Sequence, residues 1–345
     1  MSEAPPFWFA KPGIAGWLLS PVGALFGAVS AQRMRRAPTY VSTLPTICVG
    51  NFVVGGAGKT PTVLALIKIS KSMGLKPGVL SRGYGGSVQE AVVVDPQTHN
   101  AHDVGDEPLI AAKLAPTIVS SDRPSGAALL EQQRVDLIIM DDGFQNPSLH
   151  KDYSIAVTDS VRGLGNGFVM PAGPLRASLG AQIAKASAIL LVGEGKNAAS
   201  LVRRAAKMAK PILQSGVRVK KPRSWSKRRV CAFAGIADPK KFYASLEACG
   251  AEIVGTRNFH DHHPFSAEEC RDLQQWAKDH DATLVTTQKD HIRLLRMGEA
   301  QDALAQAVEV LEIELVFENP KRIQMIIHDV MERAREARVG RGPKS

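Results

Sequence analysis

Residues 45 to 62 read Pro-Thr-Ile-Cys-Val-Gly-Asn-Phe-Val-Val-Gly-Gly-Ala-Gly-Lys-Thr-Pro-Thr, an apolar run that passes through a glycine-rich turn into a helical stretch. Gly55, Gly56 and Gly58 allow backbone angles that point successive N–H groups, including that of Ala57, into one concavity. The helix after the turn adds the positive end of its dipole at the same spot, so the turn is built to hold an anionic phosphate. Lys59 is placed to reach the β- and γ-phosphates of a nucleotide, and Thr60 offers a hydroxyl to a nucleotide-bound Mg²⁺.

A strict Walker A motif has glycine five positions before its Gly-Lys pair, and here that position is Val53. The start of the loop must therefore differ from the common form. An ordinary glycine-rich turn between strand and helix is the competing reading. The strand before, the helix after and the Gly-Lys-Thr run together favour nucleotide binding.

From Thr46 to about Val219, short β-branched runs alternate with helical stretches, which predicts a doubly wound, mostly parallel sheet with helices on both faces. Strands are expected at 46–50, 77–81, 91–94, 117–120, 135–141, 154–158, 188–192 and 212–219. A second, smaller α/β unit is expected from 229 to 318 behind a basic linker at 220–228, followed by a basic amphipathic helix and tail at 319–345. The length of 345 residues and a 44% hydrophobic content suit two domains. Cys48, Cys231, Cys249 and Cys270 are too scattered for a zinc framework or a disulfide scaffold, which fits a reducing cytosol.

Residues 7 to 31 are apolar apart from Lys11, and Arg33, Arg35 and Arg36 come next. A signal peptide competes here, since Val29-Ser30-Ala31 resembles a cleavage site, but no basic region precedes the run. Arginines immediately after it hold that end in the cytoplasm. Pro21 and four glycines break the run, so the expectation over 1–40 is a membrane-associated segment with Trp8, Trp17 and Phe26 in the inner leaflet, favoured over full spanning or plain core packing. The net charge of +10 implies acidic partners. Residues 195 to 237 carry no acid and many bases, which is either solvated charge or a surface facing anionic headgroups. Aromatics are sparse there, Trp225 and Phe233, which argues against a nucleic-acid surface.

The apolar strand over 135–141 runs into Asp141-Asp142-Gly143-Phe144-Gln145, which puts carboxylates at a strand's C-terminal end, where open α/β sheets bind ligands and where a Walker B acid would hold Mg²⁺. Asp106 and Glu107 open another helix, and from the sequence alone helix capping accounts for them. Arg82, Arg123 and Arg176 lie in loops at the same sheet edge, each able to bind phosphate or merely to solvate its loop. Three histidines surround Asp261 in Phe259-His260-Asp261-His262-His263, as a metal site or as one proton-transfer histidine.

Taken together, Val49-Gly50-Asn51 before the cradle, Ser81-Arg82-Gly83-Tyr84, Gly105-Asp106-Glu107-Pro108, Asp141-Asp142-Gly143-Phe144-Gln145, Gly165-Asn166-Gly167 with Pro171-Ala172-Gly173-Pro174-Leu175-Arg176, Asp261-His262 and Thr287-Gln288-Lys289-Asp290 resemble the tetraacyldisaccharide 4'-kinases of lipid A biosynthesis. The resemblance covers almost the whole chain. It implies transfer of the ATP γ-phosphoryl group to the 4'-hydroxyl of an acylated glucosamine disaccharide 1-phosphate at the cytoplasmic face of the bacterial inner membrane, with no obligate protein partner. It further implies a P-loop domain facing a smaller C-terminal domain. Lys59 would stabilise the phosphates, and Thr60, Glu107, Asp141 and Asp142 would hold Mg²⁺. Asp106 would take the hydroxyl proton with His262 tuning it, and Asn51, Arg82, Arg123 and Arg176 would contact substrate. Two positions depart from the family pattern: Ala177 stands where Glu is usual after Pro-Leu-Arg, and Gln288 where Thr-Glu-Lys-Asp is usual. The runner-up, a membrane-bound P-loop ATPase switch, would carry a signature lysine where this chain has Val54.

Overall fold

A computed structural model of the chain describes residues 4–339; residues 1–3 of the N-terminal segment and 340–345 of the basic tail lie outside the described residues. A short 3-10 turn at Pro6–Phe9 leads into the 22-residue helix α1 (Ile14–Arg35), then β1 (Thr46–Asn51), the glycine turn and α2 (Lys59–Ser72). The chain continues through β2 (Pro77–Ser81), β3 (Val92–Val93), α3 (Ala101–Val104), α4 (Asp106–Ala112), β4 (Thr117–Val119), α5 (Arg123–Glu131) and β5 (Leu137–Asp141). It then adds β6 (Tyr153–Asp159), α6 (Leu179–Lys185), β7 (Ala188–Val192), α7 (Ala199–Lys207) and β8 (Ile212–Val219).

These strands lie in the order β8-β7-β6-β1-β5-β2-β4-β3, parallel throughout except for β3 at the edge. Every residue of β1, β2, β5 and β7 is buried, as expected of parallel strands covered on both faces. Strand β1 sits between β5 and β6, with Val49 opposite Asp141, so the glycine turn and the acids emerge side by side at one edge. On α2, Val63, Leu66, Ile67 and Ser70 are buried at the spacing of one helix face and cover this sheet. Each aliphatic side chain so buried stabilises the fold by about 1.5–3 kcal/mol.

The second unit has β9 (Arg229–Ala234), α8 (Pro239–Ala248), β10 (Glu252–Asn258), α9 (Ala267–Asp279), β11 (Thr283–Thr287), α10 (Gln288–Leu294), α11 (Glu299–Ala307) and β12 (Glu309–Leu311). Its four strands are all parallel, in the order β10-β9-β11-β12. The boundary expected at 318 is corrected, because the smaller unit ends before the last strand. Strand β13 (Ile313–Phe317) leaves this sheet and pairs antiparallel with β8 as the ninth strand of the larger one, and α12 (Pro320–Val339) packs there too. The reason is apolar complementarity: Leu315, Phe317, Ile323, Ile327 and Val330 join the core beneath α2. The linker at 220–228 is also more than a linker, because Trp225 is buried in the smaller domain with Val230 and Phe242. In the acid-free stretch, Arg218, Lys220 and Arg228 find Glu314, Glu312 and Glu309 on the returning chain, so the headgroup reading is corrected for those three.

Helix α1 is not broken at Pro21, as the composition suggested, but runs through it. The loss of one internal hydrogen bond, roughly 3 kcal/mol, is offset by packing along one side. Gly16, Gly23 and Gly27 press on the 168–178 segment so closely that a Cβ at Gly23 would stand 2.6 Å from the Val169 carbonyl oxygen. Trp8 is likewise buried, its Nε1–H donating to the Pro171 carbonyl at 3.0 Å, so its expected seat in the inner leaflet is corrected. The opposite face shows Ile14, Leu18, Val22, Leu25 and Val29, each more than half exposed, beside Trp17 and Phe26.

Candidate active site

Gly55 and Gly58 have φ of +105° and +90°, the left-handed region that glycine tolerates without strain. Asn51 ends β1 fully buried, and its Nδ2–H donates to the Gly55 carbonyl at 3.1 Å, so it braces the cradle from beneath and does not face a substrate. Where the common motif has glycine, Val53 bridges to Leu175, the Val54 N–H donates to the Pro174 carbonyl at 2.9 Å and Arg176 Nε to the Val53 carbonyl at 3.3 Å. The Gly- and Pro-rich segment ending in Arg176 thus holds the start of the cradle. Ala57 is buried at its floor, and Gly56 faces Ala237 of the smaller domain.

Lys59 opens α2 with Nζ 3.4 Å from Asp142 Oδ2. The guanidinium of Arg176 grips the same carboxylate with two prongs, Nη1 to Oδ1 at 3.0 Å and Nη2 to Oδ2 at 3.2 Å. Burial works to raise the Asp142 carboxyl, but the charges of Lys59 and then Arg176 prevail and hold it down at about 2. Its backbone adopts φ +48°, a conformation of the kind that collects at functional sites. Asp141 is buried, with no hydrogen-bond partner for Oδ1 among the described residues, and burial followed by the negative charge of Glu107 pushes it up to about 7. Thr60 Oγ1 donates to Glu107 Oε1 at 2.7 Å. Burial opposes ionisation of Glu107, yet the charge of Lys289, reaching over from α10 to pair with it, keeps its carboxyl below the ordinary range.

Asp106 begins α4 and is 3% exposed. Its Oδ1 accepts the Glu107 N–H at 2.8 Å, but Gly105 is the N-cap and no side chain caps the helix, so the expected capping role is corrected: the two acids only lie in its first turn. Its Oδ2 faces the smaller domain, where His262 Nδ1 lies at 3.4 Å and Arg293 Nε donates at 2.7 Å. Burial alone would raise this carboxyl, but the hydrogen bond from His262 and the charges of Lys289 and Arg293 hold it far below the usual carboxylate range. His262 has φ +62° and packs against the Tyr84 ring with centroids 5.2 Å apart.

The structure therefore brings Lys59, Thr60, Asp106, Glu107, Asp141, Asp142, Arg176 and His262 to one edge. It does not bring Arg123 there as a substrate contact. That guanidinium is 2% exposed, with Nη1 donating to the Ser120 carbonyl at 3.2 Å and Nη2 to the Asp141 carbonyl at 3.2 Å, so it supports the loop carrying the acids. Arg82 stays exposed. The histidine cluster is not a metal site: His263 pairs with Glu269, His262 turns to Asp106, and no three potential ligands converge among the described residues. Ala177 is buried in the apolar core, and it is Asp142 that meets the neighbouring Arg176. Arg293 was missed. Its signal was helical spacing, four residues after Lys289 on the same face of α10.

A glycine cradle after the central strand, acids on the neighbouring strand and a second α/β domain docked over both define a two-domain P-loop kinase. The profile of the tetraacyldisaccharide-1-P 4'-kinase family matches residues 15–332. A tetraacyldisaccharide 4'-kinase of Agrobacterium fabrum is 48% identical over 95% of this chain and 94% of its own length. That of Allorhizobium ampelinum is 48% identical over 97% and 99%. The crystal structure of LpxK from Aquifex aeolicus in complex with ATP superposes with a TM-score of 0.71 at 24% identity, covering 92% of this chain and all of that one. The chain belongs to the tetraacyldisaccharide-1-P 4'-kinase family.

Proposed function

We propose that the chain transfers the γ-phosphoryl group of ATP to the 4'-hydroxyl of a tetraacylated glucosamine disaccharide 1-phosphate, giving lipid IVA, with Asp106 as proton acceptor. The observation that carries these roles is the meeting of Asp106 and His262, from two domains, beside the cradle of Lys59 and Thr60. The backbone N–H groups of residues 55–58 and the start of α2 bind the phosphates, and Lys59 neutralises charge that builds on the transferring group. A magnesium ion would be held by Asp141, whose buried Oδ1 has no hydrogen-bond partner among the described residues, together with the Thr60 hydroxyl and Glu107, whose negative charge, like that of Asp142, is felt at Asp141. Few protein carboxylates are needed, because such an ion keeps waters and phosphate oxygens as its other ligands. When bound it neutralises phosphate charge.

In the transfer, the acceptor oxygen forms its bond to phosphorus as the bridging P–O bond to ADP breaks, and the hydroxyl proton passes to Asp106. A strongly basic carboxylate is not required, since the transition state is loose and the proton moves late. His262 orients the carboxylate, and the docked smaller domain excludes water. Of the arginines expected to meet the acidic acceptor, Arg82 is exposed, whereas Arg176 is engaged by Asp142 and the Val53 carbonyl. The exposed face of α1 lies in the inner leaflet at the cytoplasmic side, with Arg33, Arg35 and Arg36 at the headgroups. The close packing of Gly16, Gly23 and Gly27 on the 168–178 segment supports α1 lying on the membrane over crossing it, although it is long and apolar enough to span one. Val54, where an ATPase switch would carry lysine, leaves that alternative without support.

The test is transfer of labelled γ-phosphate from Mg·ATP to tetraacyldisaccharide 1-phosphate in detergent micelles, comparing wild type with Lys59→Ala. Label in the lipid with wild type alone is expected. ATP hydrolysis stimulated by bare membranes with no labelled lipid would overturn the reading.

A further inference from the structure

Arg293 stands at the junction of the two domains, its side chain 5% exposed. On its own domain Nη1 donates to the Gly235 carbonyl at 2.5 Å and to Asp290 Oδ1 at 2.8 Å. Asp290 is fully buried and is itself held, accepting the Gly235 N–H at 3.1 Å and the Thr287 hydroxyl at 2.7 Å. A planar guanidinium fixed along one edge presents its other edge in one orientation. That edge meets Asp106: Nε donates to Oδ2 at 2.7 Å, and Nη2 stands 2.6 Å from the same oxygen in ion-pair contact.

Oδ2 is thereby occupied from the smaller domain, by Arg293 and by His262 Nδ1 at 3.4 Å, whereas Oδ1 accepts the neighbouring peptide N–H. We propose that Arg293 is a positioning residue for phosphoryl transfer: it pins Oδ2 of Asp106 across the domain junction and leaves Oδ1 to receive the acceptor's proton only while the domains are docked. The inference rests on Asp106 being the proton acceptor. A buried ion pair that merely docks two domains would have the same contacts, since such pairs are weak evidence for any particular role. Kinetics separate the two.

The experiment is a double-mutant cycle of Asp106→Asn and Arg293→Met in the full chain, reading kcat and the KM for ATP in the labelled-transfer assay, with fluorescent-nucleotide binding to verify a folded cradle. Asp106→Asn alone is expected to lose about 10²–10⁴-fold in kcat. Arg293→Met is expected to lose on the order of 10²-fold in kcat, the effect of misplacing a reacting group, with little change in KM. The double variant should be no slower than Asp106→Asn, because no carboxylate remains to be positioned. Additive losses, or wild-type kcat in Arg293→Met beside a slow Asp106→Asn, would overturn the positioning role alone. Wild-type kcat in Asp106→Asn would sink the proton-acceptor reading and this inference with it. If Arg293→Met does not bind nucleotide, Arg293→Lys carries the test, since it keeps the charge and loses the fork. An intermediate loss of kcat is then expected, and an unchanged kcat would overturn the proposal.

Discussion

Lys289 of the smaller domain forms an ion pair with Glu107, and the same carboxylate accepts the hydroxyl of Thr60 at the cradle. One acid is therefore tied both to the helix that binds phosphate and to the domain that closes over it. The adjacent residue, Asp106, repeats the arrangement with His262 and Arg293. Two neighbouring acids on α4 thus both reach the smaller domain, beside the Lys241–Asp159 ion pair and the Asn100–Arg296 hydrogen bond, and undocking removes partners from both acids at once.

Asp106→Asn keeps the shape of the site and its hydrogen bond to the Glu107 N–H but cannot take a proton. Nucleotide affinity is expected to stay within about twofold while turnover falls about 10²–10⁴-fold. Equilibrium binding of a fluorescent nucleotide beside the transfer assay checks this, and equal losses in both would remove Asp106 from the chemistry.

If Asp141, pushed up to about 7, is a ligand of Mg²⁺ as proposed, metal binding depends on pH. An acid whose native value lies above its unfolded value near 4 favours the native state most when protonated, so this contribution declines as pH rises from about 4 to 7. Binding Mg²⁺ requires the ionised form, and below about pH 7 it should expel up to one proton. Calorimetry of Mg·ATP binding in buffers of different ionisation enthalpy is expected to find that proton near pH 6 and not near pH 8.5, and to lose it in Asp141→Asn. Equal release at both pH values would contradict the assignment.

The exposed stripe on α1 predicts how the protein meets a bilayer. Replacing Ile14, Leu18 and Leu25 by Ser removes three side chains each worth about 1.5–3 kcal/mol when buried in an apolar phase. Binding to anionic vesicles should weaken at least ~10²-fold, while transfer to substrate in detergent micelles is largely kept. Full co-sedimentation of the triple variant would show that another surface binds the membrane.

Arg123→Lys tests the correction made for that residue. Lysine cannot reach the Ser120 and Asp141 carbonyls together, and each buried acceptor left unpaired costs roughly 1–3 kcal/mol. The melting temperature should drop by several degrees while KM for the lipid acceptor is kept. A stable protein with a raised acceptor KM would restore Arg123 as a substrate contact.

Much of this was legible in the chain because it is local. The strands at 77–81, 188–192 and 212–219 fall where the apolar runs place them, the first two as short fully buried segments and the third as a half-exposed one. The end of the smaller unit was not legible: the sequence suggests one final strand near 310–317, and two are found, β12 and β13, whose partners lie in different sheets. Arg82 and Arg123 look alike in sequence, each in a loop after a strand, yet one is exposed and the other has its charge buried under carbonyls.

Taken alone, then, the sequence determined the phosphate cradle, the parallel sheet around it and the acids at its edge, because glycine angles, helix polarity and apolar periodicity act over a few residues. Only the tertiary structure decided that Asp106 is a contact between domains and not a helix cap. Its partners His262 and Arg293 lie in the other domain, Arg293 being 187 residues away in the chain, and no local preference specifies a contact made by docking two separately folded cores.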